Sequence, residues 1–269
     1  MSLTASFPTE LWASGLDAAR FFASAAHEEA LARLDYLVTT QRRLGVLVGA
    51  GGSGKTLILE LAARKWRQAR HAVSLISATA MEPVDLLTRL SSDWQHAIAP
   101  TASRAALWQA VTDALTVHRC EQRASVLLVD DAGQAQFDVL DIVARLAHAG
   151  DILQPRLAMV LAVDPARVSH LGEQLLSRAD LRIDLAALDV AETRDYLQAH
   201  WNASRDMAPT LDMDATQRMH ELTGGLPRRL NQLGNLVMLA AKADDRAAID
   251  VALVDTVYRE LTAQSLARR

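Results

Sequence analysis

Gly49-Ala50-Gly51-Gly52-Ser53-Gly54-Lys55-Thr56 follows an apolar run at 44–48 and precedes a helix-forming segment at 57–67. Closely spaced glycines let successive backbone N–H groups turn inward around phosphate oxygens, and the following helix adds the positive end of its dipole. In such a loop Lys55 reaches the β and γ phosphates of a nucleotide, and the Thr56 hydroxyl binds magnesium. A glycine-rich turn can match this spacing without binding anything. The strand before it and the helix after it supply the order that phosphate binding requires.

A nucleotide's magnesium needs a second oxygen ligand at the end of another strand, and Val126-Leu127-Leu128-Val129-Asp130-Asp131 is an apolar run ending in two carboxylates. Asp130 is the expected metal-side residue. Asp131 stands where a carboxylate would orient the attacking water; as an aspartate it is one methylene shorter than the glutamate common there, so its reach is in question. Asp164, in Val163-Asp164-Pro165, reads equally as a sensor of the γ-phosphate or as turn chemistry before proline.

Working outward, apolar runs at 44–48, 72–76, 125–129, 158–163 and 181–185 alternate with helical patterns at 27–43, 57–67, 83–97, 103–119, 135–149 and 167–177. Five strands alternating with helices imply an α/β fold with a five-stranded parallel sheet covered on both faces. After Leu185 only helical patterns remain, at 190–201, 215–222, 227–243 and 251–267, which predicts a small all-helical lid domain. Asp189 with Glu192 three residues on forms a capping-box pattern, placing the join near 187 and the domains at 1–187 and 188–269. Pro227, after the Gly224-Gly225 pair, suits the first turn of a helix.

The 269 residues carry a net charge of -4, which gives no general electrostatic reason to bind nucleic acid or an anionic membrane. Local clusters such as Arg42-Arg43 and Arg228-Arg229 leave a restricted basic patch open. A single cysteine, Cys120, excludes an intramolecular disulfide. The first residues lack the basic segment and apolar run of a signal peptide, and no window reaches the roughly 18 apolar residues of a membrane span. The expectation is a cytoplasmic chain without a membrane span. The histidines from His71 onward lack metal-ligand spacing, so no zinc site is expected. Trp66, Trp94, Trp108 and Trp201 fall on helical stretches and read as packing residues.

The order of these features resembles the AAA+ ATPases, and within them the ExeA/GspA-type ATPases of bacterial general secretion, over nearly the whole chain. The residues that carry the resemblance are His27-Glu28, the loop from Gly49 to Thr56, Asp130-Asp131-Ala132, Asp164-Pro165, Arg178 with Arg182, and Gly224-Gly225-Leu226-Pro227-Arg228-Arg229-Leu230-Asn231. The resemblance implies ATP with Mg2+ as ligands, and it is the main reason to expect ATP over GTP. It implies that Arg228 is a lid arginine contacting the γ-phosphate, and that Arg178 and Arg182 are fingers acting on a neighbouring subunit's nucleotide. Hydrolysis would then involve Lys55 and Asp131 in a nucleotide-dependent homo-oligomer that acts on an as yet unidentified protein partner. The plainer alternative pairs Arg178 and Arg182 with Asp180 or Asp184 at the surface, and leaves Arg228 a surface residue.

Three positions depart from the family's pattern: Asp131 replaces a glutamate, and Gly133 and Asp164 each replace a glutamine. Slow hydrolysis or a nucleotide-sensing scaffold is therefore an alternative. The secretion relatives continue into a transmembrane helix and a peptidoglycan-binding region not seen before Arg269, so membrane and cell-wall roles are not expected to carry over. Transposition regulators of the TniB/TnsC kind share the core and a similar GxPR lid, which makes ATP-dependent DNA binding the other alternative.

Overall fold

The computed structural model describes residues 22–96, 102–153, 156–202 and 209–267. Strands β1 (Leu44–Gly49), β2 (Ala72–Ser77), β3 (Ser125–Asp130), β4 (Leu157–Val163) and β5 (Leu181–Leu185) form one sheet in the order β2-β3-β4-β1-β5. All pairings are parallel, so each connection crosses a face of the sheet and the helices cover both sides. This is the α/β, five-stranded parallel sheet implied by the alternating runs. β2, the next strand after the glycine loop in sequence, lies at the sheet's edge. In space β4 separates the two motif strands, β1 and β3.

The interior strands β1, β3 and β4 are buried at every position, as continuous apolar runs in a doubly covered sheet should be. Edge strand β5 instead alternates, burying Ile183 and Leu185 and exposing Arg182 and Asp184. Helices α1 (Ala25–Thr39) and α2 (Lys55–Gln68) pack together and against the sheet. Helices α3 (Pro83–Asp93), α4 (Arg104–Cys120) and α5 (Phe137–Leu153) contribute to a core with Val46, Val48, Leu127, Val129, Met159 and Leu161. Trp66 and Trp94 are buried packing residues, and the half-buried Trp108 carries the Arg145 guanidinium 4.4 Å from its ring centre.

Three elements differ from the expectation. α1 stops at Thr39, where the Thr39 and Thr40 hydroxyls turn back onto the Asp35 and Tyr36 carbonyls and Gln41 adopts φ 57. The helix expected at 167–177 is a 3-10 turn, Pro165–Leu171, and then a single turn α6 (Glu173–Leu176). Gly172, at φ 78, interrupts the pattern between them, although Leu171 and Leu175 both reach the core and sustain a helical spacing across the break. The tail is also not purely helical. Two-residue strands β6 (Thr210–Leu211) and β7 (Ala248–Ile249) pair in parallel among α7 (Val190–Asn202), α8 (Met213–Thr223), α9 (Pro227–Ala243) and α10 (Val251–Ala267). Strands this short leave no readable period in a sequence. The ends of the helices expected at 83–97 and 103–119 approach residues 97–101, which lie outside the described residues.

The described residues fall into two compact units: Ala25–Ala186, and a second that takes in residues 22–24 with those from Ala187 onward. In the second, Leu188, Leu197, Met219, Leu230, Val237 and Val254 form a separate core. The capping box at its first helix is made in both directions: Glu192 N–H donates to Asp189 Oδ1 at 2.7 Å, and Asp189 N–H donates to Glu192 Oε2 at 3.1 Å. Phe22 meets the Tyr196 ring edge-on at 5.5 Å. Buried Tyr196 has its phenol pushed up to about 12, chiefly by burial, and donates to Asn231 Oδ1 at 2.5 Å.

In the sheet unit, His118 is 3% exposed and places Nδ1 2.8 Å from the Ser125 hydroxyl at the start of β3. Burial first, then the charge of Arg123, pushes its pKa below the ordinary value, and His71 is shifted in the same direction. With a folded pKa below the unfolded one, this contribution is complete above about pH 6.5 and is lost as the pH falls and the unfolded chain takes up protons. Urea unfolding from pH 8 to 5 should therefore show stability declining in the acid half of the range, with a smaller decline in His118→Gln.

Candidate nucleotide-binding site

The C-terminal end of β1 runs into the glycine loop, and α2 begins at Lys55. Gly52 at φ 87 and Gly54 at φ 105 hold conformations that side chains with a Cβ rarely adopt. Gly54 is constrained a second time, because a Cβ there would come within 2.6 Å of His27 Nε2. His27, from α1, is 5% exposed and has Nε2 3.0 Å from the Ser53 carbonyl. A carbonyl only accepts, so this nitrogen carries the proton and donates. α1 thus supports the loop from beneath through one imidazole.

Inside the loop, Lys55 is nearly buried and its ammonium donates to the Gly49 carbonyl at 2.6 Å and the Ala50 carbonyl at 3.1 Å. A buried positive charge beside a row of N–H groups at a helix start favours an anion. The Ser53 hydroxyl is buried without a hydrogen-bond partner among the described residues, leaving a polar group in the loop with bonding capacity to spare.

Across β4, Thr56 Oγ1 donates to Asp130 Oδ2 at 2.6 Å, and Asp130 Oδ1 accepts from the Asp131 N–H at 3.0 Å. This hydroxyl and carboxylate fit magnesium, which usually takes one or two protein oxygens and completes its shell with water and phosphate. Asp131 itself adopts φ 51, ψ 35 as the chain turns into the 3-10 segment Ala132–Gln134. Aspartate tolerates this left-handed conformation better than most residues.

Asp164 fulfils its turn reading and also reaches the loop. Its Oδ1 accepts from Ala166 N–H at 3.0 Å, capping the 3-10 turn, while Oδ2 accepts from the Gly51 N–H at 3.1 Å. The glycine at 133 has a packing cause: a Cβ there would lie 2.7 Å from Arg167 Cβ and 2.9 Å from Val163 Cγ2. Arg167 also donates to the Gly133 carbonyl at 3.3 Å.

Lys55, Thr56, Asp130, Asp131 and Asp164 therefore sit together at the C-terminal edge of the sheet. Arg178 and Arg182, in the same unit, do not join them. Arg178 lies by the start of β5, on a cleft of about 430 Å³ shared with Arg42, Arg43 and Asp180 at the opposite edge. Asp180 there is occupied, accepting from the Arg43 and Leu44 N–H groups and pairing with Arg42. Arg182 projects from β5 into a pair with Asp184 at 2.8 Å, as the plainer reading of that arginine has it. Arg228 is exposed in the first turn of α9, in the other unit. Sequence reasoning picks out His27 but misses its support of Ser53. Its spacing with Ala30, Leu34 and Leu37, all on the buried side of α1, was the available signal.

Among the described residues, no helix is long and apolar enough to cross a membrane. A family model described as an AAA domain matches residues 38–170. General secretion pathway protein A of Aeromonas hydrophila is 25% identical over 226 residues, covering 82% of this chain and 41% of that protein. The chain thus spans under half the length of this curated relative. The Aeropyrum pernix ORC1 protein, solved in complex with DNA, superposes with a TM-score of 0.66 at 16% identity, covering 94% of this chain and 69% of that one. ORC2 of the same organism, solved as ADPNP-ADP complexes, gives 0.64 at 14% identity, with 87% and 66% covered. At these identities the likeness to solved structures is one of fold. Residues 38–170 form an AAA domain of the AAA+ P-loop ATPases, in a chain that resembles general secretion pathway protein A.

Proposed function

We propose that this chain is a magnesium-dependent ATP hydrolase whose nucleotide state sets the position of its helical unit and so its engagement of a protein partner in a secretion-type process. The observation that carries the reading is the 2.6 Å hydrogen bond from Thr56 to Asp130, which joins the glycine loop to the second motif strand. Magnesium, held by Thr56 and Asp130, would neutralise charge on the β and γ phosphate oxygens. Lys55 and the loop N–H groups bind and orient the phosphates. Asp131 positions the attacking water, and its short side chain makes this step slow. Arg228, in the first turn of a helix after a glycine pair, supplies a guanidinium fork through which the helical unit responds to the γ-phosphate.

Arg178 is the stronger candidate for action on a neighbouring copy's nucleotide. It lines a cleft with Arg42, Arg43 and Asp180 at the sheet edge away from its own loop, its Nη2 3.4 Å from His148 Nδ1, whereas Arg182 projects from edge strand β5 beside Asp184. Hydrolysis on this reading needs a nucleotide-dependent homo-oligomer.

Calorimetric titration of Lys55→Ala should show Mg-ATP affinity reduced roughly 10- to 100-fold, the worth of about 1.5–3 kcal/mol for charge-assisted hydrogen bonds. Unchanged affinity would sink the reading at its first step. In single-turnover hydrolysis, Asp131→Asn should lose roughly 10²–10⁴-fold in rate while Asp131→Glu matches or exceeds the natural chain. If Asp131 does not position water, the two variants will behave alike. Arg178→Ala should abolish the rise of specific activity with protein concentration, and Arg182→Ala should leave most of it. Equal losses from both would remove the distinction between them.

A further inference from the structure

A second cleft, of about 970 Å³, opens at the edge of the sheet opposite the glycine loop, around the starts of β2 and β3. Its charged rim comes from separate parts of the chain: Arg67 near the end of α2, Arg70 in the turn after it, Arg89 on α3, and Arg123 in the turn before β3. Against these four arginines stand two carboxylates, Asp93 and Glu121. Arg156, just before β4, donates to the Gln122 carbonyl at 3.0 Å and adds a further positive charge beside the cleft. In a chain of net charge -4, this is a local segregation of charge.

The guanidinium groups are braced by main-chain carbonyls and by the two rim carboxylates, Asp93 pairing with Arg89 and Glu121 with Arg123, each at 2.9 Å. Arg123 Nε donates to the Arg70 carbonyl at 2.9 Å, and Arg67 Nη2 to the Val73 carbonyl at 3.4 Å. The carbonyl bonds fix an arginine without cancelling its charge, and a guanidinium has five N–H donors to share; with Arg89 and Arg123 each set against a carboxylate, the excess positive charge comes from Arg67, Arg70 and the nearby Arg156. His71 registers the resulting field: burial, then Arg123 and Arg156, lower its pKa. Its Nδ1 accepts from the Ala124 N–H at 3.3 Å, which fits a neutral ring.

We propose that this cleft binds the sugar-phosphate backbone of nucleic acid. A single phosphate would fill a small fraction of the volume, and the arginines stand around an open rim instead of converging on one point, as a chain of phosphates requires. A membrane or protein-docking surface would carry exposed large apolar side chains at its centre. Those exposed among the described residues, such as Phe137, Met213 and Tyr36, lie elsewhere and do not line the cleft. The inference is independent of the nucleotide site, which occupies the other edge of the sheet, so either can fail alone.

The test is fluorescence anisotropy with a labelled DNA duplex of arbitrary sequence, titrated over a series of salt concentrations. The natural chain should bind with an affinity that falls steeply with salt. Arg67→Glu/Arg70→Glu should weaken binding about tenfold or more and reduce the salt slope by about two, one for each phosphate no longer neutralised. Retained Mg-ATP binding verifies that the variant is folded. Should it not fold, Arg70→Gln, with a slope reduced by about one, carries the same test. Absence of duplex binding at low salt overturns the proposal, as does an unchanged slope in a folded variant, or binding of polyglutamate without binding of the duplex.

Discussion

All five strands of the main sheet run in one direction, and that constraint brings the chemistry together. Parallel strands deliver their C-terminal ends to one edge, so Gly49, Asp130 and Asp164, far apart in sequence, emerge side by side. The hydrogen bonds from Thr56 to Asp130 and from Gly51 to Asp164 then tie the loop to both neighbouring motif segments. Without the parallel arrangement these contacts would lie on opposite edges. The same constraint gathers the strand starts at the other edge, where Arg42, Arg43 and Arg178 meet on one cleft and Arg67, Arg70, Arg89 and Arg123 on another. The sheet thus separates an anion-binding loop braced by carboxylates from two arginine-lined clefts by the length of its strands.

The loop also depends on what lies beneath it. A glycine-rich turn has high conformational freedom, and ordering it costs entropy. His27 limits that freedom by holding the Ser53 carbonyl from a buried position on α1. Lys55 restrains the same turn from within, through the Gly49 and Ala50 carbonyls. The phosphate cradle is therefore partly organised by the protein itself, which lowers the ordering left for a ligand to supply.

Much of this is legible in the sequence because the relevant signals are local. The strands at 44–48 and 181–185 are readable as short apolar runs between turn residues, and the loop, its Walker-type carboxylate and the capping box at Asp189 each have fixed spacings. The segment at 167–177 shows where locality fails. Leu171 and Leu175 keep a helical interval, but Pro165 and the left-handed Gly172 divide the backbone between them. The β6–β7 pair is unreadable for another reason, since two residues carry no period. The basic cleft is hidden twice, by the acidic net charge and because Arg67, Arg89 and Arg123 become neighbours only through the crossover topology. Asp164 is half legible: proline beside it announces the turn, and nothing nearby announces Gly51.

The glycine at 133 has a consequence for how this chain can vary. A Cβ at that position would press on both Arg167 and Val163, one in the 3-10 turn after β4 and the other in the strand itself. Positions 133 and 167 are therefore interlocked. A glutamine at 133 would need Arg167 and Val163 to give way first. The segment after β3 and the turn after β4 are thus set against each other at one glycine, and a side chain gained by the first must be met by a movement of the second.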